Sequence, residues 1–231
     1  MVEVNTESGI NKSMRVKEEW TMNYIAIQLK MLKRILGIAA LLATVALAGC
    51  ATADKNVRLD YHPTVNAVGG SGELYVTISA ERDPLAKRSD VEWIVGVIKD
   101  DDGKPLGKIL TNMEPKGLVA DAFIQELNAA GYKVKVVPSL PTDAAKGLVF
   151  SGVTLKLDDV LEVVKAQAKG SVQVKVEIWK GGVKVKQLDY EETSSNTVMR
   201  TDSENLDKTL QETVKTVTRK AIPEIMRALE N

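Results

Sequence analysis

The sequence contains few of the residues that usually build catalytic and metal sites. Among 231 residues there is one cysteine and one histidine, and aromatic residues make up 4%. A single cysteine cannot form an intramolecular disulfide, and zinc sites and general-base mechanisms usually need several histidine, cysteine or carboxylate partners. The charges also balance, with 31 Lys and Arg against 31 Asp and Glu. Without a basic excess, the sequence gives no indication of nucleic-acid binding.

The remaining candidates for chemistry lie in patterns that argue against a reaction. His62 precedes Pro63 in a polar stretch, so we expect it to be solvated. The run KDDDG at 99–103 lacks the spacing and the final Glu of an EF-hand loop, and it predicts a polar hairpin turn. The acidic pairs at 158–159 and 191–192 lie in predicted strands, where neighbouring side chains point to opposite faces. The sequence therefore predicts no enzyme, no metal and no cofactor.

Residues 31–50, MLKRILGIAALLATVALAGC, have the layout of a bacterial lipoprotein signal. Lys33 and Arg34 form a short basic segment, and 14 uncharged residues follow them. That run is shorter than the roughly 20 residues that span a bilayer, but it suits a signal peptide. Its end, LAGC, resembles a lipobox. The resemblance implies cleavage between Gly49 and Cys50, and a covalent lipid on the Cys50 thiol.

Two alternatives to lipidation stay open for Cys50: a core thiol after an ordinary apolar helix, or an ordinary signal peptide cleaved after small residues. Residues 1–30 contain four acidic and four basic side chains, which is unlike the start of a signal peptide. We therefore expect translation to begin at Met31, with residues 1–30 as a mis-called upstream leader and 31–49 as the signal. Enteric lipoproteins kept at the inner membrane carry Asp after the cysteine. Ala51 stands there, which favours the outer membrane, facing the periplasm.

Period-two alternation predicts most of the folded part. Apolar and polar residues alternate in ELYVTI, GLVFSGVTLKL, SVQVKVEIW and VKVKQLDYEE, which is typical of strands with one buried face. Asp102-Gly103 and Gly181-Gly182 are turn signals, and each predicts a hairpin. Residues 50–72 contain Pro63 and three glycines with little periodicity. We expect this segment to be a flexible tether and residues 73–231 to be a single domain.

The first of two predicted helices follows the first hairpin. Thr111-x-x-Glu114 has the capping-box pattern, and Pro115 suits the first helical turn. Apolar residues then recur on one helical face as far as Ala130, and Gly131 is well placed to end the helix.

The second predicted helix closes the chain. It begins at the capping-box pattern Thr201-x-x-Glu204, and its apolar residues recur at spacings of three and four up to Leu229. We expect Pro223 to kink or split it. The predicted order is β-β-β-α-β-β-β-β-α. Strands with one apolar face need a cover, so the simplest fold is α+β, an antiparallel or mixed sheet with both amphipathic helices packed on one face.

Taken together, these features resemble the YajG-like lipoprotein family of Gram-negative envelopes. The likeness rests on the lipobox, on the hairpin VGVIKDDDGKPLGKILT feeding a helix that ends in LNAAGYKV, on the strand AKGSVQVKVEIW and on the closing helix. It covers most of residues 50–225. The resemblance implies a periplasm-facing α+β domain and carries over no catalytic residues. The leader at residues 1–30 departs from the family's pattern.

A partner surface is predicted on the second hairpin. Trp179 falls on the polar side of its strand, where it is either exposed to a partner or packed beneath a loop. Lys175, Lys180, Lys184 and Lys186 form either a basic stripe for lipid phosphates or glycan carboxylates, or a solvated face that guards a strand edge. The sequence does not decide between these readings.

Three functions are consistent with these observations. The first is a non-enzymatic, lipid-anchored lipoprotein that binds or supports another envelope component, with a protein as the expected partner. The second is an accessory subunit of an envelope transport or assembly complex, which stable co-purification with a membrane complex would distinguish. The third is a hydrolase that works through carboxylates alone, which mutation of residues 158–159 and 191–192 would test.

Overall fold

The described residues of the computed structural model form a nine-stranded mixed β-sheet with two helices. They comprise residues 53–79, 87–89, 92–199 and 203–231. The predicted leader, the signal, the Gly49–Cys50 junction and Thr201 lie outside them. The strands are β1 (Lys55–Asn56), β2 (Glu73–Ile78), β3 (Lys87–Ser89), β4 (Glu92–Asp100), β5 (Pro105–Thr111), β6 (Lys133–Val136), β7 (Lys146–Leu161), β8 (Ala166–Lys180) and β9 (Val183–Val198), and the helices are α1 (Pro115–Ala129) and α2 (Ser203–Glu230). The fold class is α+β, as predicted.

The sheet is organised around β7. On one side β8 pairs with it antiparallel along nearly its whole length, and β9 pairs antiparallel with β8. On the other side two strands lie end to end: β2 pairs in parallel with residues 147–150, and β4 pairs in parallel with residues 157–161. β6 pairs with β2, while β3 and β5 pair with β4 and β1 pairs with β5. The sheet therefore divides into two wings along the length of β7.

We name the two ends of the sheet by what connects the strands there. The turn end carries the β7–β8 turn (162–165) and the β4–β5 turn (101–104). The loop end carries the β8–β9 turn (181–182) and the start of β7, which is preceded by the loop 137–145. A strand rises about 3.3 Å per residue, so β7 separates the two ends by roughly 50 Å.

The helix-contacting face of the sheet is built from alternate residues. Val172, Val174 and Val176 of β8 are fully buried, while the residues between them are more exposed. Phe123 of α1 packs edge-to-face on Phe150 of β7, with ring centroids 5.1 Å apart. Gly170 of β8 lies directly against Thr213 of α2. A Cβ added at Gly170 would come within 2.1 Å of the Thr213 hydroxyl. The period-two pattern therefore identified the buried positions of this strand correctly.

The first helix begins differently from the sequence prediction. Its N-cap is Glu114, which makes no side-chain capping bond, and Pro115 occupies the first turn as expected. Thr111 is the last residue of β5 and pairs with Trp93 of β4, so the capping-box prediction is wrong because the residue is held in the sheet. Gly131 ends the helix as predicted, with a φ of 111°.

The second helix is continuous from Ser203 to Glu230 and contains Pro223 inside it. Of the two expected effects of Pro223, a kink or a split, the continuous helix excludes the split. Apolar residues on both sides of the proline, Ile222 and Ile225, are fully buried. Their packing against the domain holds the two halves in one helix although one backbone hydrogen bond is lost. No helix within the described ranges combines the length and the apolar character needed to cross a bilayer.

Part of the segment predicted to be a flexible tether belongs to the packed domain. Val57 and Tyr61 are buried and join the main apolar core. The backbone N–H of Arg58 donates to Asp207 of α2 at 2.9 Å, and the backbone N–H of Gly70 donates to the Ala130 carbonyl at the end of α1. We call residues 53–72 the strap, because they run across both helices. The tether prediction failed because the few apolar residues of the strap have no regular period.

Glu126 of α1 holds the strap in place. Its buried carboxylate accepts a hydrogen bond of 2.6 Å from the Tyr61 hydroxyl. It also accepts backbone N–H bonds from Thr64 at 2.8 Å and Val65 at 3.2 Å. Burial, and next the bond to this carboxylate, raise the pKa of Tyr61, so the phenol stays protonated and keeps donating. A buried carboxylate with three donors is well satisfied.

Candidate functional site: a pocket beneath the 137–145 loop

The chain returns from β6 to β7 through residues 137–145, and a pocket of about 330 Å³ lies beneath this loop. Thr77 of β2 and Val149 of β7 are register partners in a parallel pair and form part of its floor. Their neighbour Val76 is fully buried in the core. Successive strand residues point to opposite faces, so Thr77 faces away from that core. The lining residues are Thr77, Pro138, Ser139, Leu140, Pro141, Thr142, Ala144, Val149, Trp179 and Gly182; we call this site the loop pocket.

Thr77 provides a polar group inside a mostly apolar pocket. Its side chain lines the cavity, and the residue is only 9% exposed. Its hydroxyl Oγ1 makes no hydrogen bond with any residue that the structure describes. Leaving a buried hydroxyl without a partner costs about 1–3 kcal/mol. A ligand that brought a hydrogen-bonding atom to this hydroxyl would recover that cost.

Trp179 forms one wall of the loop pocket. It lies opposite Gly147 in the β7–β8 pair, and a Cβ added at Gly147 would be 2.9 Å from Leu140 of the loop. The indole N–H donates to Glu177 at 3.2 Å. Of the two alternatives that the sequence left open, the structure shows Trp179 partly buried beneath a loop. The ring is therefore fixed by its neighbours, with part of its surface open to the pocket.

Three of the four lysines predicted as a surface stripe lie beside acidic partners. Lys184 pairs with Glu177 at 2.8 Å, and Lys186 pairs with Glu224 at 2.8 Å. Lys175 lies 4.0 Å from Asp189, while Lys180 closes β8 and is half-buried. The surface next to the pocket thus alternates in charge. This arrangement matches a solvated hairpin face better than a continuous basic stripe.

A second polar cluster lies at the loop end. Glu230, at the end of α2, accepts hydrogen bonds of 2.7 Å from Lys146 and 2.6 Å from the Tyr132 hydroxyl. The bond from Lys146, followed by that from Tyr132, lowers the pKa of Glu230. Burial, and next the bond to Glu230, raise the pKa of Tyr132. The cluster joins the start of β7 to the end of α2.

The acidic pairs do not come together as a catalytic pair. Asp159 is fully buried and bonded to Lys55 at 3.2 Å, whereas its neighbour Asp158 pairs with Lys99 and Lys156. The two carboxylates point to opposite faces of β7, as the sequence predicted. His62 is exposed, 3.7 Å from Asp60, and 99–103 forms the polar β4–β5 turn. Within the described ranges, no three His, Cys, Asp or Glu side chains are placed to hold a metal ion.

Two larger clefts are weaker candidates than the loop pocket. One, of about 470 Å³, lies beside the irregularity in β7 and is lined by Gln173, Lys175, Asp189 and Glu191 among others. The other, of about 520 Å³, lies between β9 and α2 and is lined by Ser, Thr, Asn, Gln, Lys and Glu side chains. Ligand pockets are usually apolar with a few placed polar groups, which describes the loop pocket alone among these three.

Sequence reasoning found Trp179 but missed most of the loop pocket. Thr77 lies at a polar position of β2, and its position in the pocket depends on how β2 pairs with β7. The apolar run VPSLP at 137–141 was the available signal, because prolines and Leu140 seldom form an exposed polar loop. Cys50 and Gly49 lie outside the described residues.

Comparison with known proteins gives only partial structural likenesses. No family model matches the chain, and no curated protein does. A DUF330 protein from Xanthomonas campestris, XCC0632, aligns with a TM-score of 0.48 and 10% identity over 77% of this chain and 95% of that one. A neuraminyllactose-binding hemagglutinin homolog from Helicobacter pylori aligns at 0.37 and 12%, over 76% and 93%. Rare lipoprotein B from Shewanella oneidensis aligns at 0.29 and 15%, over 58% and 92%. These TM-scores lie below 0.5, and the YajG-like resemblance stays a sequence-based expectation.

Proposed function

We propose that the protein is a non-enzymatic envelope lipoprotein. Lipid on Cys50 anchors it in the outer membrane, and its periplasmic domain binds another envelope component. The observation that carries this proposal is the lipobox immediately before a folded domain: Val57, seven residues after Cys50, is already buried in the core. Each buried acyl CH₂ contributes about 0.8 kcal/mol, and one chain alone holds only marginally. Two or three chains on one residue would hold the domain firmly. Ala51 in place of Asp favours the outer membrane.

The anchor is tested by the intact mass of the membrane-extracted protein beside its Cys50→Ala variant. We expect a mature chain that begins at residue 50 and is heavier by a diacylglycerol and an acyl group. The variant should keep its signal and lack the lipid mass. A wild-type chain that retains residues 31–49 without lipid would overturn the proposal. Separation of inner and outer membranes from the same cells then tests the assignment to the outer membrane.

The binding role rests on the loop pocket. Its volume of about 330 Å³ lies at the low end of the range for small-molecule sites. Its walls are mostly apolar, and the Thr77 hydroxyl has no hydrogen-bond partner among the described residues. We therefore infer an occupant that is apolar in its bulk and carries one hydrogen-bonding atom, such as the carbonyl end of an acyl chain or an apolar side chain of a partner protein with its backbone carbonyl.

Photo-crosslinking in living cells tests this role. A photoreactive side chain at Ser139, exposed at the rim of the loop pocket, should give a defined adduct with an envelope protein or a lipid. The matched control is the same side chain at Asp121, which is exposed on α1 and does not line the loop pocket; that adduct should be absent there. Equal adducts from both positions, or none from Ser139, would contradict a specific pocket. Recovery of one transport or assembly complex would favour the accessory-subunit function.

A further inference from the structure

The β7–β8 turn exposes two adjacent apolar side chains. Val163 is 96% exposed and Val164 is 64% exposed. The turn beneath them is well formed, since the Glu162 N–H donates to the Lys165 carbonyl at 2.8 Å and the two side chains form an ion pair at 3.3 Å. Turn tips usually carry Gly, Asn, Asp, Ser or Pro. Val163 and Val164 therefore form an apolar surface that no described residue of the domain covers.

The strand register shows where the chain before β1 is directed. Lys55 pairs with Ile109, and Asn56 with Leu110. Ile109 lies opposite Gly96, which in turn pairs with Leu157 of β7. The step from residue 56 back to residue 55 therefore has the same direction along the sheet as β7 has from residue 157 to residue 161. That direction leads to the turn end. The bond from the Lys108 N–H to Asp54 at 2.8 Å continues this direction. At Asp54 the chain therefore points back toward the turn end.

The distances from Cys50 to this end are short. Cys50 is four positions before Asp54 in the sequence, and an extended chain covers at most about 14 Å over that length. Leu161 lies about 10 Å beyond the level of Asp54 along the sheet, at 3.3 Å per residue. Across the sheet, β1 and β7 are three strand spacings apart, roughly 14 Å. A lipid on Cys50 would hold the turn end close to the bilayer.

We propose that Val163 and Val164 insert into the bilayer that holds the lipid of Cys50, so that the turn end rests on the membrane. This inference depends on the proposed lipid anchor. It places the loop pocket at the membrane-distal end, roughly 40 Å along the sheet from the valines. The lipid provides the attachment, and the valines fix the orientation of the domain.

The charge at the turn end indicates how this contact works. Glu162 and Lys165 neutralise each other, and the neighbouring β4–β5 turn exposes Asp101, Asp102 and Lys104. Among the described residues of the turn end, no basic cluster is available to bind anionic headgroups. Insertion is therefore driven by burial of apolar side chains. We expect the contact to form on zwitterionic vesicles and to persist at high salt.

The test uses the lipidated protein in phosphatidylcholine vesicles. Because the chain has one cysteine, which the lipid blocks, Val163→Cys supplies the only free thiol for a polarity-sensitive fluorophore. We expect blue-shifted emission and strong quenching by bilayer-embedded spin-labelled lipid. The matched control is Val183→Cys, since Val183 is 63% exposed at the loop end and should give water-like emission with little quenching. Adding Val164→Asp to the Val163→Cys protein should shift its emission back toward the value in water.

The two proposals fail in distinguishable ways. Intact mass on the same preparation reports the lipid. A lipidated protein whose label at position 163 stays water-like, or is quenched no more than the label at position 183, overturns the membrane contact and leaves the anchor standing. An unlipidated chain overturns the anchor, and the membrane contact is overturned with it. Circular dichroism of the labelled variants shows that the exposed turn tolerates the substitution.

Discussion

The two ends of the sheet differ in how their exposed groups are satisfied. At the loop end Lys135 lies beside Glu73 at 2.6 Å and Lys146 beside Glu230 at 2.7 Å, and a recessed, mostly apolar pocket lies near the exposed Val183. At the turn end two valines project into solvent. A surface adapted to water with a recessed apolar site suits ligand binding. A projecting apolar tip suits a lipid phase.

The two wings along β7 belong to different ends of the sheet. β2 and β6 form the wing at the loop end, which contributes Thr77 to the pocket. β4, β5 and β1 form the wing at the turn end, from which the chain leads back toward Cys50. A change that detaches one wing should therefore abolish one property and spare the other, provided the remaining core stays folded.

The largest effect is expected for Gly96→Ala, which attacks the seam between β4 and β7. A Cβ at position 96 would lie 1.4 Å from the Leu157 carbonyl oxygen, so the two strands must separate. We expect a loss of about 4 kcal/mol or more in the free energy of unfolding, measured in urea. The matched control is Gly117→Ala in α1, where an added Cβ meets nothing within 4 Å and helix propensity favours Ala by up to about 1 kcal/mol. Similar losses in both variants would contradict the inference that β4 must pack closely on β7 at Gly96.

The next effect is expected for Glu126→Ala, which releases the strap. The change leaves the buried Tyr61 hydroxyl and two backbone N–H groups without their acceptor. We expect a loss of about 3 kcal/mol in the free energy of unfolding. Asp121→Ala on the same helix is the control, because Asp121 is exposed and accepts a hydrogen bond of 2.8 Å from the Gln125 side chain; it should change stability by less than about 0.5 kcal/mol. If Glu126→Ala has the free energy of unfolding of the wild type, the apolar residues of the strap are sufficient to keep it packed on the domain.

The strap and the pocket also show what the sequence could not predict. The strands and both hairpins follow from local patterns, namely alternation and the glycines at 103 and 181–182, whose positive φ the turns require. The strap depends on contacts between residues more than 60 positions apart, such as Tyr61 with Glu126. The pocket depends on the register between β2 and β7. Local periodicity reports which face of a strand is buried, and it carries no information on which distant segment covers it.

A smaller effect, opposite in sign, is expected for Thr77→Val. Valine has nearly the same shape and removes the buried hydroxyl that has no partner, so the unliganded protein should gain up to about 1 kcal/mol. The Ser139 crosslink should weaken, since the pocket loses its hydrogen-bonding group. The control is Thr111→Val at the other wing: Thr111 is 1% exposed, and its hydroxyl also lacks a partner among the described residues. This control should gain similar stability and leave the crosslink unchanged. Equal weakening of the crosslink in both variants would show that the Thr77 hydroxyl has no specific role in binding at the loop pocket.

The smallest effect is a pH dependence at the loop end, through Glu230. Lys146 and Tyr132 lower the pKa of this carboxyl below its ordinary value of 4.5, so the folded state favours the charged form. The corresponding stability is present above the unfolded pKa and is lost as the pH falls through the lowered folded value. Wild type should therefore lose more stability than Glu230→Gln between about pH 6 and about pH 3 in urea unfolding.

Glutamine keeps an acceptor for Tyr132 and cannot titrate, so the difference between the two slopes isolates the carboxylate. Glu212→Gln is the matched control on the same helix, because Glu212 is largely exposed and lies 3.6 Å from Lys215; its slope should follow wild type. If Glu230→Gln follows wild type as well, the pairing at the loop end contributes nothing measurable to folding. The paired charges at the loop end would then reflect surface composition and not a stabilising arrangement. The two ends would differ only in the loop pocket and in the exposed Val163 and Val164.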